Sequence, residues 1–176
     1  MENEMKNKIM LDLETMGNDS KSAIIAIGAV AFNDSLVVDK FYTQVNLTSA
    51  MRYGGFVDGS TIMWWLKQSK EARSAFENND TAPDILTALS SFSDWYREVN
   101  GGEVWGNGAM FDNSILSGAY RNCGIEQPWK FWDDMCYRTV KNMYKHIKLN
   151  RVGTYHNAVD DAESQALHLI EILKTK

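Results

Sequence analysis

The sequence predicts an α/β fold in which helices flank a mixed β-sheet. Three strand patterns fill the first part of the chain, helical patterns follow them, and one short strand pattern interrupts the helices before they resume. This order of elements is typical of layered α/β structures with a mixed sheet. Because a domain averages roughly 150 residues, the chain of 176 residues predicts a single domain over residues 1–176.

The three N-terminal strands follow from alternation and from one apolar run. Residues 8–14 alternate, so that their apolar side chains share one face of a strand. The turn-rich residues 15–22 end this strand. Residues 23–32 are almost wholly apolar, which fits a strand buried on both faces. Residues 36–45 follow a short turn and predict the third strand.

Helical spacing and capping residues predict the remaining elements. We expect a helix that begins at Ser60 or Thr61 and either continues or restarts through residues 71–76. Further helices are expected from Thr81 to the glycine pair at 101–102, and at 111–120, 136–148 and 158–173, with a fourth strand at 104–107. In the first of these helices, the spacing places Ile62, Trp65 and Leu66 in the core and leaves Trp64 more exposed.

The composition excludes several classes of protein. Hydrophobic residues make up 44% and charged residues 23% of the chain, which is ordinary globular usage. No stretch reaches the roughly 18 apolar residues of a membrane span, and the polar N-terminus MENEMKNK lacks the apolar core of a secretory signal. Cys123 and Cys136 lack metal-binding spacing. We therefore expect a cytoplasmic protein that does not associate with membranes.

The net charge of −5 argues against non-specific coating of DNA, because such binding usually needs a basic surface. It does not argue against a metal-dependent enzyme that acts on phosphates. If four carboxylates held two divalent cations, the four added positive charges would change the net charge from −5 to −1.

The first candidate site is the pair Asp12 and Glu14. On a strand these two residues point to the same face, opposite the apolar face of Ile9, Leu11 and Leu13. Two neighbouring anions repel each other, and a hard divalent cation with oxygen ligands removes that repulsion. The pair also fits a merely solvated strand face, so its spacing leaves both interpretations open.

Two further clusters carry acids at predicted helix starts. Asp112 opens the helix at 111–120, where an acid is also favourable as a cap or as a partner of the helix dipole. His156 precedes the last helix, and Asp161 lies nearer than Asp160 to its apolar stripe, so Asp161 is the better candidate to face inward. With a pKa of about 6.5, a histidine at this point acts as a base at neutral pH or is a polar surface residue.

Together the three clusters resemble the DEDDh subtype of the DEDD 3′–5′ exonucleases. The residues that carry the resemblance are, in chain order, Asp12, Glu14, Asp112, His156 and Asp161. The stretches LDLETMG at 11–17 and TIMWWLKQSKEAR at 61–73 are similar to the phage and bacterial branch of this group, which includes the mycobacterial 3′–5′ exoribonuclease-like domain and phage exonuclease A.

The resemblance implies an RNase H-like fold and a single DEDDh exonuclease domain. It also implies that the four carboxylates bind two Mg²⁺ or Mn²⁺ ions, and that His156 acts as a general base. The implied reaction releases nucleoside 5′-monophosphates from single-stranded 3′ ends of DNA or RNA. Two alternatives stay open, namely an oligoribonuclease that acts on short RNAs and a non-catalytic nucleic-acid-binding subunit with the same fold.

Basic residues near the third cluster are candidates for contacts with the substrate backbone. Residues 135–151 carry basic side chains at helical spacing and contain no acid. Such a face predicts either a contact surface for phosphates or a solvated side of a helix. Lys141 and Lys145 are the candidate substrate-binding residues on it.

Residues near the acid pair are candidates for contacts with a base. Trp64, if exposed, would stack on a base, although an aromatic pair in a helix also fits a core or a dimer contact. Thr15 and Met16 follow the acid pair directly, and Met16 is a candidate apolar wedge against the terminal base. If the protein forms a homodimer, the aromatic helices around Trp64 and Trp95 are the expected interface.

Overall fold

A five-stranded mixed sheet forms the centre of the structure, a computed structural model that describes residues 6–175. The strands are β1 (Asn7–Thr15), β2 (Ile24–Phe32), β3 (Val37–Gln44), β4 (Gly101–Gly106) and β5 (Asp134–Cys136). The helices are α1 (Leu47–Arg52), α2 (Gly59–Trp65), α3 (Ile85–Glu98), α4 (Asp112–Cys123), α5 (Tyr137–Met143) and α6 (Ala158–Leu173). Short 3₁₀ helices occupy Ala72–Phe76 and Phe131–Asp133. The first five residues, which are part of the sequence argument against a secretory signal, lie outside the described residues.

The strand order in the sheet is β3-β2-β1-β4-β5. β1 pairs antiparallel with β2, as does β2 with β3, whereas β4 pairs in parallel with both β1 and β5. This arrangement confirms the predicted α/β class with a mixed sheet. β5 was not predicted, because an edge strand of three residues is too short to show alternation. Within residues 6–175, no helix has the length and apolar character that crossing a membrane requires.

The central strand β1 buries both of its faces against different layers. Its predicted apolar face joins the main hydrophobic cluster together with side chains of α3 and α4. Met10 faces the other way, into a second cluster that is built largely from α6. Glu14 lies on this second side and is only 7% exposed. The acid pair therefore does not lie on a solvated strand face, which was the alternative interpretation.

A continuous helix over residues 60–76 would be too long, and the structure shows the other alternative, a first helix followed by a restart before Phe76. α2 ends at Trp65, and the chain continues through turns to the 3₁₀ helix Ala72–Phe76. Trp65 is buried as predicted, and its indole N–H donates to a backbone carbonyl at the end of β1. Ile62 and Leu66, however, are 39% and 60% exposed. A helix of two turns meets the core through few side chains, so the spacing overestimates its buried face.

The predicted helix over residues 136–148 is also too long. α5 spans Tyr137–Met143, and its start is anchored by the Tyr137 hydroxyl, which lies 2.6 Å from Nδ1 of the buried His168. Lys145 lies in a turn beyond the helix. The continuous basic face expected over residues 135–151 therefore does not form.

The two longest helices lie close to their predicted positions, and α6 spans the predicted residues 158–173. In α3, Trp95 is only 7% exposed, and its indole N–H donates to Oδ2 of Asp39 at 2.8 Å. Trp95 is thus a core residue, and an interface formed by this helix, which stays a prediction, would use other side chains.

The first turn of α6 crosses the sheet at Gly28 of β2. A Cβ atom on this glycine would lie 2.2 Å from the carbonyl carbon of Ala158 and 2.3 Å from the backbone nitrogen of Val159. Only a residue without a side chain admits this contact. Gly28 is also the register partner of Asp12 on β1, so the contact brings the start of α6 beside the acid pair.

We expect Gly28→Ala to lower the free energy of unfolding by about 1–3 kcal/mol or more, because the added methyl group would meet backbone atoms that cannot rotate away. Urea unfolding measures this change. Gly59→Ala is the matched control, since a Cβ at Gly59 meets nothing within 4 Å. The control is expected to change the free energy of unfolding by less than about 1 kcal/mol. Equal stability of the two variants would show that α6 does not need this close approach.

Candidate active site

The end of β1 carries two of the acids predicted for the site. Asp12 and Glu14 point to the same side of the sheet, toward α6. Gln165 of α6 donates from Nε2 to Oδ1 of Asp12 at 2.8 Å. A bulge between Glu14 and Thr15 then ends the regular pairing with β2. β1 therefore presents both carboxylates where α6 begins.

Asp112 is the first residue of α4 and is only 3% exposed. Gly106, at the end of β4, makes room for it, because a Cβ there would lie 3.3 Å from Oδ2 of Asp112. The backbone N–H of Leu13 donates to Oδ1 of Asp112 at 3.2 Å. The carboxylate is thus turned toward β1 and is not a surface cap of α4.

At the start of α6, the neighbouring acids Asp160 and Asp161 point to different partners. Asp161 is 8% exposed, and its Oδ2 accepts from the backbone N–H of His156 at 3.0 Å. Oδ2 of Asp160 instead accepts from the backbone N–H of Thr154 at 2.7 Å, which closes the loop before the helix. Asp161 therefore faces the sheet, as the helix phase predicts.

His156 is held in an unusual backbone conformation between aromatic rings. Its φ angle is 61°, in the left-handed region that few residues other than glycine adopt. The ring centroid lies 3.8 Å from that of Tyr155 and 5.0 Å from that of Trp64. Burial lowers the pKa of His156, although the charge of Asp161 opposes this shift. The imidazole is therefore neutral at neutral pH, and backbone strain of this kind is concentrated at functional sites.

Burial raises the pKa values of three acids, Asp12, Glu14 and Asp112, and repulsion between charges adds to the rise at Asp12 and Glu14. For Asp12, burial comes first, followed by the charges of the other three acids, and its pKa is well above the ordinary value. Burial and then the charges of Asp161 and Asp112 raise the pKa of Glu14 to about 9. Burial raises the pKa of Asp112 to about 7, against the opposing effect of backbone N–H groups and Arg138. These acids are not all ionised at neutral pH unless a cation joins them.

The donor set fits a hard divalent cation. Carboxylate oxygens of Asp12, Glu14 and Asp161 lie within 4.8 Å of one another, and the fourth acid lines the same pocket. Two buried side-chain oxygens in this pocket, from Asn107 and Gln165, have no hydrogen-bond partner among the described residues. Mg²⁺ and Mn²⁺ favour all-oxygen surroundings and retain waters that would donate to such acceptors.

The acids and His156 line one pocket of about 210 Å³. Its wall also contains side chains that the sequence analysis did not select, namely Asn107, Phe111, Arg138, Arg151, Tyr155 and Gln165. Of these, Gln165 follows Asp161 by one helical turn, so helical spacing could have indicated it. In the sequence, the two arginines are recognisable only as part of the basic stretch at 135–151. Their position beside the acids depends on the path of the loops.

A cleft of about 400 Å³ adjoins the acidic pocket, and both are lined by Glu14 and Phe111. Trp64 is 42% exposed and lines this cleft, so its predicted exposure is correct. Thr15 lines the cleft as well, and its hydroxyl donates to the Gly17 carbonyl at 2.7 Å. The cleft therefore offers an aromatic surface next to the acids.

Three candidate substrate contacts lie elsewhere. Met16 is 5% exposed and belongs to the main hydrophobic cluster. After the bulge its side chain turns toward the core and lines neither the acidic pocket nor the adjoining cleft, and its role as a wedge stays a prediction. Lys141 packs over a tyrosine ring of α5, and Lys145 follows the end of that helix. The basic residues that line the acidic pocket are Arg138 and Arg151.

The strand order, together with four acids and a histidine that converge on one pocket, defines the class of this protein as the DEDDh-type 3′–5′ exonucleases. The chain belongs to the family described as the 3′–5′ exoribonuclease Rv2179c-like domain, whose model matches residues 7–173. The chain is also 28% identical over 156 residues to the exodeoxyribonuclease of Enterobacteria phage T4. That match covers 74% of this chain and 68% of the phage protein.

Two solved structures share the fold. One is a full-length 3′-exonuclease, with 14% identity and a TM-score of 0.64, and the match covers 97% of this chain and 82% of the other. The second is Exonuclease X in complex with 5′ overhanging duplex DNA, with 17% identity and a TM-score of 0.64 over 96% and 92% of the two chains. These likenesses confirm the predicted RNase H-like fold.

We expect the metal-free protein to lose stability as the pH rises from about 5 to about 9. Because the pKa of Glu14 is raised to about 9, the folded protein keeps a proton that the unfolded chain releases above the ordinary glutamate pKa. Each rise in pH within this range therefore favours unfolding. Urea unfolding in EDTA at several pH values measures the effect, and Mg²⁺ should reduce it.

Glu14→Gln should remove much of this pH dependence, because the glutamine cannot ionise. Glu171→Gln, on the exposed side of α6, should leave the dependence unchanged and is the matched control. A wild-type protein whose stability in EDTA rises from pH 5 to pH 9 would contradict this description of the pocket.

Proposed function

We propose that this 3′–5′ exonuclease is metal-dependent and releases nucleoside 5′-monophosphates from single-stranded ends of DNA or RNA. The observation that carries the proposal is the convergence of Asp12, Glu14, Asp112 and Asp161 on one pocket that also contains the His156 ring. A nucleic-acid substrate agrees with membership of an exonuclease family.

The four carboxylates would hold two Mg²⁺ or Mn²⁺ ions. When bound, such ions lower the pKa of a coordinated water and stabilise the leaving oxygen of a phosphodiester. The protein's contribution is to keep the acids close together in spite of their repulsion. Gln165 fixes Asp12 through its side-chain amide, and the Leu13 backbone fixes Asp112. Both carboxylates are therefore oriented before any ion arrives.

His156 would accept the proton of the attacking water at a ring nitrogen. Its lowered pKa keeps the ring neutral and able to accept a proton at neutral pH. Its backbone N–H is bonded to Asp161, so the histidine is tied to one of the proposed metal ligands. The rings of Trp64 and Tyr155 limit its rotation.

The neighbouring cleft would receive the terminal nucleotide. Trp64 provides a partly exposed aromatic face there, and stacking of a base on such a face is worth about 1–3 kcal/mol. Thr15 lines the same cleft. The family description refers to RNA, whereas the name of the phage relative refers to DNA, so both sugars belong in the test.

The test is a cleavage assay with 5′-labelled single-stranded DNA and RNA of several lengths, in Mg²⁺, Mn²⁺ or EDTA. We expect products that shorten stepwise from the 3′ end only when a divalent ion is present. Activity confined to RNAs of a few nucleotides would favour an oligoribonuclease. Binding without any shortening would overturn the proposal in favour of a non-catalytic subunit.

Three variants assign the roles within the same assay. Asp161→Asn should abolish measurable cleavage, whereas the neighbouring Asp160→Asn should retain most of it, because an asparagine oxygen still accepts from Thr154. His156→Ala should lower the rate by on the order of 10²–10⁴-fold and leave Mn²⁺ binding nearly unchanged. Loss of activity in Asp160→Asn alone would contradict the assignment of Asp161.

Trp64→Leu should raise KM for a single-stranded oligonucleotide by about fivefold or more, because leucine offers no ring for a base. Steady-state kinetics measures the change. Trp132→Leu is the matched control, since Trp132 is 65% exposed and lies outside the cleft. Equal KM values for Trp64→Leu and the wild type would rule out stacking at this residue.

A further inference from the structure

Arg151 lies against one of the proposed metal ligands. Its Nη1 lies 2.5 Å from Oδ1 of Asp161, and its guanidinium carbon lies 4.1 Å from the centre of the Tyr155 ring. The Arg151 side chain is 47% exposed, whereas that of Asp161 is 11% exposed. The positively charged side chain of Arg151, which is partly exposed, therefore pairs with a carboxylate oxygen of Asp161 in the acidic pocket.

Building on the proposed function, the geometry points to Arg151 as a counter-ion that Asp161 and the substrate share in turn. Without a divalent ion, Arg151 neutralises Asp161. When a divalent ion takes this carboxylate, the guanidinium leaves it and binds a phosphate of the nucleic acid. Arg151 is then a substrate-binding residue whose availability depends on the occupancy of the metal site.

The proposed exchange follows from the different partners of the two carboxylate oxygens of Asp161. Oδ2 is held by the backbone N–H of His156, which cannot move without a change in the loop. Within residues 6–175, Oδ1 is held only by the side chain of Arg151, which is long and partly exposed. A divalent ion and a guanidinium on the same carboxylate repel each other. Of the two partners, the arginine is therefore the one that is displaced.

A displaced Arg151 would stay at the rim of the pocket. The adjacent residue Val152 is anchored to α6, because its backbone N–H donates to Oγ of Ser164 at 3.0 Å. The Tyr155 ring provides a second surface for the guanidinium. The planar fork of an arginine suits carboxylate and phosphate equally well, so the same group serves both partners.

Arg138, on another part of the rim, differs from Arg151 in the groups that its guanidinium contacts. Its Nη2 donates to the backbone carbonyl of Asn107, and its guanidinium packs over Gly108. It makes no ion pair with a carboxylate among the described residues. Arg138 is thus available to a phosphate with or without a metal ion, whereas Arg151 becomes available only after the exchange.

The first test is the affinity for Mn²⁺ in the absence of nucleic acid, measured by calorimetry. Arg151→Gln should bind Mn²⁺ about three- to tenfold more tightly than the wild type, because the competing positive charge is gone. Arg151→Lys keeps the charge and should stay close to the wild type. Lys148→Gln removes an exposed charge from the same segment and should also have little effect.

The second test is KM for a single-stranded oligonucleotide at saturating Mn²⁺. Arg151→Gln should raise KM about threefold or more, since one charged contact with a phosphate is lost. The combination of tighter metal binding and weaker substrate binding distinguishes the exchange from a structural role, which would weaken both. Thermal melting of each variant in EDTA verifies that it is folded.

A measurement on the wild type covers the case in which a variant fails to fold. The arginine side-chain N–H signals in nuclear magnetic resonance spectra should include one that shifts when Mg²⁺ is added and shifts again with a non-cleaved oligonucleotide. If the wild type binds Mn²⁺ and cleaves nucleic acid but Arg151→Gln gains no affinity for Mn²⁺, the exchange is refuted while the proposed function stands. If the wild type binds no Mn²⁺ and cleaves nothing, the proposed function itself fails.

Discussion

The contact between the first turn of α6 and Gly28 is the constraint on which the site depends. Backbone meets backbone there, since a Cβ on Gly28 would lie 2.2 Å from Ala158. β1 lies next to β2 in the sheet, and Asp12 is the register partner of Gly28. Without this approach, Asp161 and His156 would lie farther from the acids of β1, and the cluster would lack its fourth carboxylate and its histidine.

Without bound cations, the cluster of four carboxylates is energetically unfavourable. Burial removes water from the carboxylates and raises the pKa values of Asp12, Glu14 and Asp112, and the charges of neighbouring acids raise those of Asp12 and Glu14 further. The rest of the fold offsets this cost through two hydrophobic clusters on either side of the sheet. A site that is unfavourable by itself is well suited to bind cations, because an arriving positive charge relieves the repulsion.

The sequence by itself determined the central elements and the main site residues, because their signals are local. The alternation in β1 places Asp12 and Glu14 opposite the apolar face. The apolar stripe of α6 distinguishes Asp161 from Asp160, and the structure buries Asp161. The order of five residues along the chain indicated the DEDDh subtype, and the stretches at 11–17 and 61–73 indicated the family that the comparisons show.

The tertiary structure decided the features that depend on contacts between distant segments. β5 forms only because β4 lies beside it, and α5 ends early, which separates Lys145 from the helix. Met16 turns into the core after the bulge in β1. The helical spacing of the basic residues did not indicate that Arg151 reaches Asp161, because this contact depends on the path of the loop before α6. Periodicity reports which face of an element is apolar, whereas these features depend on which elements become neighbours, and that is settled only when the whole chain packs.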